Sequence, residues 1–272
     1  MTIGSQLKRG AVAAVATIAL MVVAGCTPKA TENPKAVESP PAGWPMQLGD
    51  FTITWTAEPG IDLTTGPAVV VRAYQESYYL ATITDDDKYL YPGFAEAVEP
   101  NQPGERNGTE ALWPESFASE VWIGIARHHI VQVTRSGQDV TALVCAYLYG
   151  SAARQQSDYA ANVGSDFELN SGIYPVRSGL RAPESPDSEL PAQQGPSRAP
   201  FDNVFGGWKV TRHQGGYMTT SRWDEYDRDR AACIEKADGT PESRHFLPGG
   251  GYSRSDFPTL PATPGWPAKP ST

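Results

Sequence analysis

The residues that could carry catalysis are few and lack a recognised spacing. The sequence contains four histidines, but no HExxH, G-x-S-x-G or GxxxxGK[ST] motif and no G-x-G-x-x-G after a predicted strand. His128 and His129 are adjacent on a predicted strand, where successive side chains point to opposite faces, so they cannot share one metal ion. Asp158, Asp166 and Glu168 follow the predicted central strand, but nothing distinguishes them from surface acids. We therefore predict no catalytic residue set, no metal site and no cofactor.

Aromatic side chains cluster around a predicted helix and the predicted central hairpin. Tyr74, Tyr78, Trp122 and Tyr147 are candidates for the lining of a pocket, because rings with a polar tip suit a small amphiphilic ligand. The alternative is that they pack in the core, where buried hydroxyl groups must find hydrogen-bond partners. Core packing is the interpretation that we favour.

The N-terminal segment has the features of a secretory leader. Lys8 and Arg9 form a basic region, and the apolar run over 11–24 has about 14 residues, fewer than the roughly 20 that a membrane-spanning helix needs. The run ends in VAGC at 23–26, the pattern of a bacterial lipobox, in which the cysteine thiol accepts diacylglycerol before cleavage. The alternatives are a secretory signal with an incidental cysteine and an uncleaved anchor. We predict lipidation of Cys26, where two or more acyl chains would anchor the protein stably.

The other two cysteines form an even pair in a chain that is expected to be exported. An oxidising compartment permits a disulfide, and no CxxC or Cys/His spacing points to a metal instead. Cys145 lies on the most apolar predicted strand, and Cys233 flanks the apolar stripe of a predicted C-terminal helix. Two separately buried thiols are the alternative. We predict a disulfide between Cys145 and Cys233.

The composition excludes some partners. The chain has 272 residues, a formal charge of −9, 40% hydrophobic residues, 26 glycines and 24 prolines. This length and apolar content support one domain or two small ones. Because nucleic acid is bound by neutralising its phosphates with Lys and Arg, an acidic chain is not expected to bind it.

Proline-rich segments divide the chain. We predict a signal peptide over 1–25, a tether over 26–49, an α+β core over 50–180, a Pro-rich crossing over 181–200, a strand plus helix packed on the core over 201–257, and a polyproline-like tail over 258–272. Prolines recur at every third position of the tail, the period of a polyproline helix. The tail either packs along its own domain or binds an aromatic groove of a partner.

Periodicity predicts the main elements of the core. Phe51, Ile53 and Trp55 alternate with threonines, which indicates a strand. A helix is predicted from Gly66, with an apolar stripe that runs from Val70 to Ala81 and an acidic turn after it. The sequence also predicts an antiparallel hairpin with arms at 128–134 and 140–149. A strand at 205–210 and a helix whose apolar stripe runs from 223 to 234 are predicted after it.

The order of these signals resembles a known fold. A helix with RAYQESY at 72–78, an acidic turn, a segment at 89–94 and long antiparallel strands are similar to the nuclear-transport-factor-2-like (SnoaL-like) superfamily. The resemblance covers 64–175 and implies a cone in which N-terminal helices pack on a curved antiparallel sheet. A C-terminal helix and Pro-rich extensions would be additions. The superfamily includes enzymes and non-catalytic modules, and the Asp/His pairs of its enzymes have no counterpart here.

A second resemblance concerns the whole chain. The lipobox together with YPGF at 91–94 and GWKV at 207–210 is similar to uncharacterised lipoproteins of mycobacteria and their relatives. The predicted anchor, the tether and the aromatic-rich core without a catalytic residue set lead us to expect a protein outside the cytoplasm, anchored to the cell membrane by lipid, that is non-catalytic and binds a small amphiphilic ligand or an envelope protein. The alternatives are a hydrolase or isomerase on the same scaffold, and a structural protein that acts through its Pro-rich segments.

Overall fold

The computed structural model describes residues 43–101, 111–115, 119–165, 168–184, 190–217 and 222–269. The predicted signal peptide, Cys26 and the tether over 27–42 lie outside the described residues. The described residues fall within one compact unit, Pro40–Thr272.

The described chain is α+β, as predicted, with three α-helices and one sheet of seven strands. The strands are β1 (Phe51–Ala57), β2 (Trp122–Ser136), β3 (Asp139–Tyr147), β4 (Ser151–Arg154), β5 (Tyr159–Ala161), β6 (Ile173–Arg181) and β7 (Lys209–Gly215), and the helices are α1 (Gly66–Thr84), α2 (Phe94–Ala97) and α3 (Tyr226–Glu235). The strand order is β5-β4-β2-β3-β6-β7, all antiparallel, and β1 adds to β2 in parallel. The sheet is curved and does not close.

The β2–β3 hairpin forms where it was predicted and is longer than expected. Its turn places Gly137 at φ 65°, a left-handed conformation that favours glycine. β3 lies between β2 and β6, and most of its residues from Val140 to Tyr147 are buried, in agreement with its continuous apolar sequence. Both faces of this strand are therefore covered, as the sequence indicated.

The sequence-based prediction missed β4, β5 and β6 and placed the start of β7 too early. β7 begins at Lys209 rather than at 205, because the Asn203 side chain accepts hydrogen bonds from the backbone N–H groups of Phe205 and Gly206 and holds them in a turn. β6 was not predicted at all. It contains Pro175 and Gly179, residues that ordinarily weaken a strand, and its register with β7 shifts after Gly179.

α1 follows its predicted course but is buried more completely than an apolar stripe implies. It ends where Asp85 adopts a left-handed backbone conformation, φ 56°, in the predicted acidic turn. Every residue from Ala68 to Thr84 is buried. The sheet covers one side of the helix. Segments near 193 and 264 contact its other side through Arg72, so polar residues of α1 are enclosed together with apolar ones.

The folded domain begins earlier than the predicted tether boundary at 49. The indole N–H of Trp44 donates to the carbonyl of Leu48 at 2.8 Å, and Leu48 is fully buried in the core. The guanidinium of Arg198 donates to the carbonyl of Gly49 at 2.7 Å. Residues 43–49 therefore belong to the domain, because their apolar side chains have a core to pack against.

The tail packs along its own domain. The backbone N–H of Trp55 donates to the carbonyl of Thr263, and Ser197 and Trp266 exchange two backbone hydrogen bonds of 3.0 and 2.8 Å. A turn at 263–264 interrupts its extended course. The tail thus covers the free edge of β1 and pairs with the Pro-rich crossing, which protects an edge that could otherwise pair with another chain.

Candidate functional site

The structure does not bring the four candidate pocket residues together as one lining. Tyr74 and Tyr78 are neighbours on α1, with ring centroids 6.0 Å apart, and Trp122 lies in the same hydrophobic cluster. Tyr147 lies in the second cluster, where its hydroxyl donates to the carbonyl of Cys233 at 3.0 Å. The reason is strand alternation: Tyr147 and Cys145 point to one face of β3, whereas their neighbours point to the other.

These aromatic residues pack as core residues. The Tyr74 hydroxyl donates to the carbonyl of Leu112 at 2.8 Å, and the Trp122 indole N–H donates to Glu120 at 2.7 Å. Burial raises the pKa of both Tyr74 and Tyr78. Among the described residues, clefts of about 310, 270 and 160 Å³ are lined by other side chains.

A row of polar side chains lies between α1 and the sheet. Gln75, Tyr79 and Thr82 are spaced four and three residues apart, so they share one face of the helix. Gln75 donates to the Ser178 hydroxyl at 3.2 Å, and the Tyr79 ring meets His128 with centroids 5.4 Å apart. We call Gln75, Tyr79, Thr82, His128, Ser178 and His213 the polar seam.

His128 is the most isolated group of the polar seam. It is 1% exposed, and its ring stacks on Trp55 with centroids 4.6 Å apart. Among the described residues, neither of its ring nitrogens has a hydrogen-bond partner. Burial lowers the pKa of His128 to about 3, so the ring is neutral at physiological pH and offers one donor and one acceptor.

His213 occupies the other end of the polar seam. It lies directly opposite Ser178 across the β6–β7 pair and stacks on Tyr78 with centroids 4.6 Å apart. Its Nδ1 atom is buried and finds no hydrogen-bond partner in the described part of the chain, and burial lowers the pKa of His213 to about 4. Both buried histidines therefore contact aromatic rings and are held in the neutral form.

The polar seam has more hydrogen-bonding atoms than it has partners for them. The Gln75 side-chain oxygen and the Thr82 hydroxyl are buried and have no hydrogen-bond partner among the residues that the structure describes. The Tyr79 hydroxyl lies near the backbone of Tyr217 but without hydrogen-bond geometry. An unsatisfied buried polar group costs about 1–3 kcal/mol, and such groups ordinarily bind water or a ligand. The seam therefore contains donors and acceptors that the described side chains leave unused.

Next to the polar seam, a buried carboxylate collects three hydrogen bonds. Glu76 accepts from the indole N–H groups of Trp55 and Trp266 and from the hydroxyl of Tyr91, each at 2.7 Å. Burial raises the pKa of Glu76, while Arg72 and the three donors act in the opposite direction. Because Trp55 also stacks on His128, this carboxylate holds one wall of the polar seam.

Arg72, one helical turn before Glu76, ties three loops to α1. Its guanidinium donates to the carbonyls of Leu63 at 2.7 Å, Gln193 at 3.2 Å and Pro264 at 2.8 Å, and it lies 4.3 Å from the centroid of the Trp266 ring. Burial lowers the pKa of Arg72. We call Arg72, Glu76 and Trp266 the clasp, because they fix the tail to α1.

Sequence reasoning missed the clasp and most of the polar seam. One signal was present: Arg72 and Glu76 are the sole charged residues among the 19 of α1, whose sequence is otherwise apolar or uncharged on all sides. A helix of that kind is buried all round, so its few charges must be buried and paired. The partner Trp266 could not be identified, because it lies 190 residues from Glu76.

The predicted disulfide is confirmed. Cys145 and Cys233 are bonded, with Cα atoms 5.3 Å apart, and both are fully buried. The bond joins β3 to α3 inside the second hydrophobic cluster. Tyr147 reinforces the same contact through its hydrogen bond to the Cys233 carbonyl.

Three further observations concern the class of site. In the described ranges, no group of three or more His, Cys, Asp or Glu side chains could hold a metal ion. No helix of the described part has the length and apolar character to cross a membrane. Comparisons with family models, with curated proteins and with solved structures gave no match to this chain.

Proposed function

We propose that this chain is a lipid-anchored protein of the extracytoplasmic face of the membrane whose domain binds a small amphiphilic ligand without catalysis. The observation that carries the proposal is the polar seam, where His128, Gln75 and Thr82 have unpartnered atoms behind a wall of aromatic rings. An amphiphilic ligand matches both features, since its polar group would satisfy these atoms and its apolar part would contact the rings.

The cysteines support the location. The sequence VAGC, which resembles a lipobox, ends at Cys26, and the remaining pair, Cys145 and Cys233, forms a buried disulfide. Structural disulfides persist in oxidising compartments and are rare in the cytosol. Acylation at Cys26 is tested by metabolic lipid labelling of the wild type and of Cys26→Ser. Labelling of the wild type alone supports the anchor, and equal labelling would refute it.

The α1-on-sheet arrangement also supports the resemblance to the nuclear-transport-factor-2-like cone, which we propose for 64–175. A long helix packs on an antiparallel sheet, and the polar seam lies between them. The whole-chain resemblance to mycobacterial lipoproteins rests on the sequence motifs alone. On this proposal, β1 before the first helix and α3 after the sheet would be additions to the cone.

The neutral protonation state of the two buried histidines, His128 and His213, favours binding over catalysis. General bases act best when their pKa lies near the working pH. Burial lowers the pKa of His128 to about 3 and that of His213 to about 4, and both rings stack on aromatic neighbours rather than on an acid or a nucleophile. Such groups are suited to accept or donate a hydrogen bond in the neutral form.

Native mass spectrometry of the detergent-extracted full chain tests the ligand proposal. We expect a small-molecule adduct on the wild type and its loss in His128→Phe, which keeps a planar ring and removes both ring nitrogens. Tyr149→Phe is the matched control, because it removes another unpartnered buried hydroxyl, on the α3 side of the sheet. The control should retain the adduct.

Two outcomes would contradict the ligand proposal. One is a wild-type protein without a small-molecule adduct, and the other is equal retention by the wild type and His128→Phe. A co-extracted protein in place of a small molecule would support the alternative of an envelope-protein partner instead.

A further inference from the structure

A polar cleft of about 310 Å³ lies beside α3, the helix that packs on the second hydrophobic cluster. Tyr226 and Arg230 are one helical turn apart on α3, and Arg222 lies just before the helix. Glu168, Tyr174 and Asp227 also line the cleft. We call this group the α3 cleft. Its volume falls at the lower end of the range for small-molecule sites.

The charges of the α3 cleft are balanced but loosely paired. Arg230 lies 3.4 Å from Glu168, and Arg222 lies 3.9 Å from Asp227. The two carboxylates are 66% and 92% exposed, so water competes strongly for them. Exposed ion pairs at such distances contribute little to stability. A ligand can therefore replace either partner at small cost.

The scaffold behind the α3 cleft is firmly held. Arg230 also donates to the carbonyl of Asn170, whose side-chain oxygen accepts a hydrogen bond of 3.1 Å from the buried Arg244. Cys233, three residues after Arg230, is bonded to β3. The Arg230 guanidinium is thus held by the Asn170 carbonyl as well as by Glu168, each at 3.4 Å, and its helix is anchored to the sheet through Cys233. Such preorganisation reduces the entropy lost when a ligand binds.

We infer that the α3 cleft binds a zwitterionic ligand, an amino acid or a short peptide with a free ammonium group and a free carboxylate. Arg222 and Arg230 present planar guanidinium groups, which match a carboxylate in two-point hydrogen bonding. Glu168 and Asp227 match an ammonium group. A ligand with one charge would satisfy one pair of these groups and be repelled by the other, whereas a zwitterion satisfies both.

Titration of the full chain with three matched peptides tests this inference, with binding followed by calorimetry. The probes are Ala-Ala, its N-acetylated form, which has lost the ammonium group, and its amide, which has lost the carboxylate. We expect the affinity for Ala-Ala to be about tenfold higher, or more, than the affinity for either blocked form. Each hydrogen-bonded charge contributes at least about a factor of ten to the affinity.

Matched variants locate the site. Arg230→Gln and Glu168→Gln should each weaken Ala-Ala binding by about tenfold or more. Arg135→Gln, which changes an exposed arginine at the tip of the β2–β3 hairpin, should bind like the wild type. Unchanged melting temperatures of the variants confirm that they fold.

Equal binding of the three peptides, no binding of Ala-Ala, or wild-type affinity in both cleft variants would overturn the inference. The result is independent of the proposed function, because the polar seam is tested by a retained adduct and by His128→Phe. A negative result for one site therefore does not contradict the proposal for the other site.

Discussion

At the scale of single residues, the buried polar groups of α1 divide into a satisfied set and an unsatisfied one. Glu76 accepts three hydrogen bonds, and Arg72 donates to backbone carbonyls, so both charges are compensated inside the core. His128 lies behind Trp55, and within the described ranges neither of its ring nitrogens has a hydrogen-bond partner. This contrast within one helix–sheet interface distinguishes a structural clasp from a site that is able to bind.

Because His128 is buried in its neutral form, we expect the stability of the protein to fall as the pH is lowered. The unfolded chain protonates this ring near its ordinary pKa of 6.5, whereas burial keeps it neutral in the fold down to about 3. Below pH 6.5 the unfolded state therefore binds more protons, and the free energy of unfolding falls by up to about 1.4 kcal/mol per pH unit for this group. His213 adds a similar slope between about 4 and 6.5.

Urea denaturation at several pH values between 4.5 and 7 measures this slope. His128→Phe should reduce the slope by about half, because His213 remains, and Tyr149→Phe should keep the wild-type slope. At pH 7 the His128→Phe variant should be close to wild type in stability, since replacing an unpartnered polar group by an apolar one of similar shape costs little. Identical slopes in the wild type and His128→Phe would refute the buried neutral state.

At the scale of elements, periodicity and cysteine positions could predict β1, α1, the β2–β3 hairpin, α3 and the disulfide. The patterns were long enough, or alternated regularly enough, to identify each of them. β4 and β5 have four and three residues, too few to show a period, and β6 is interrupted by Pro175 and Gly179. The clasp could not be predicted from the sequence for another reason, since its residues meet through tertiary packing alone.

The tail acts as a structural element that Trp266 fixes. Trp266 is 1% exposed, so Trp266→Ala should cost about 3–5 kcal/mol, the range for large core side chains. The Trp55 amide, which donates to the Thr263 carbonyl, should lose hydrogen-exchange protection as the tail detaches. Leu260→Ala is the control, because Leu260 is 52% exposed and should change stability by less than about 0.5 kcal/mol. Unchanged protection of Trp55 would show that the tail does not depend on the clasp.

The disulfide fastens α3 across a sequence separation of 88 residues. Chain-entropy arguments assign a loop of this size about 4–5 kcal/mol of stabilisation, a large part of the net stability of a domain. The double variant Cys145→Ala/Cys233→Ala should therefore unfold at a markedly lower urea concentration than the oxidised wild type. The reduced wild type is the matched comparison and should behave like the double variant. Coincident unfolding curves for oxidised and reduced protein would contradict this role.

At the scale of the whole molecule, the Pro-rich segments join the domain rather than separate its parts. Residues 43–49, the crossing near 193–198 and the tail near 264–266 all reach α1 or each other through hydrogen bonds. Composition identified these segments correctly as poor in core-forming runs. It could not show that backbone carbonyls, which every residue has, would be captured by Arg72 and Arg198.

The boundary between tether and domain gives the last prediction. Deleting 27–42 from the mature chain should leave the melting temperature unchanged, because this proline-rich segment has little apolar area to bury. Deleting 27–49 removes the fully buried Leu48, the packed Trp44 and the Gly49 carbonyl bound by Arg198. Loss of a buried leucine alone costs about 2–5 kcal/mol, so the melting temperature should fall by roughly 5–15 °C. The two deletions differ by seven residues, 43–49. Equal melting temperatures would place the start of the stable domain after residue 49, whereas a fall with the shorter deletion would make the tether part of the fold.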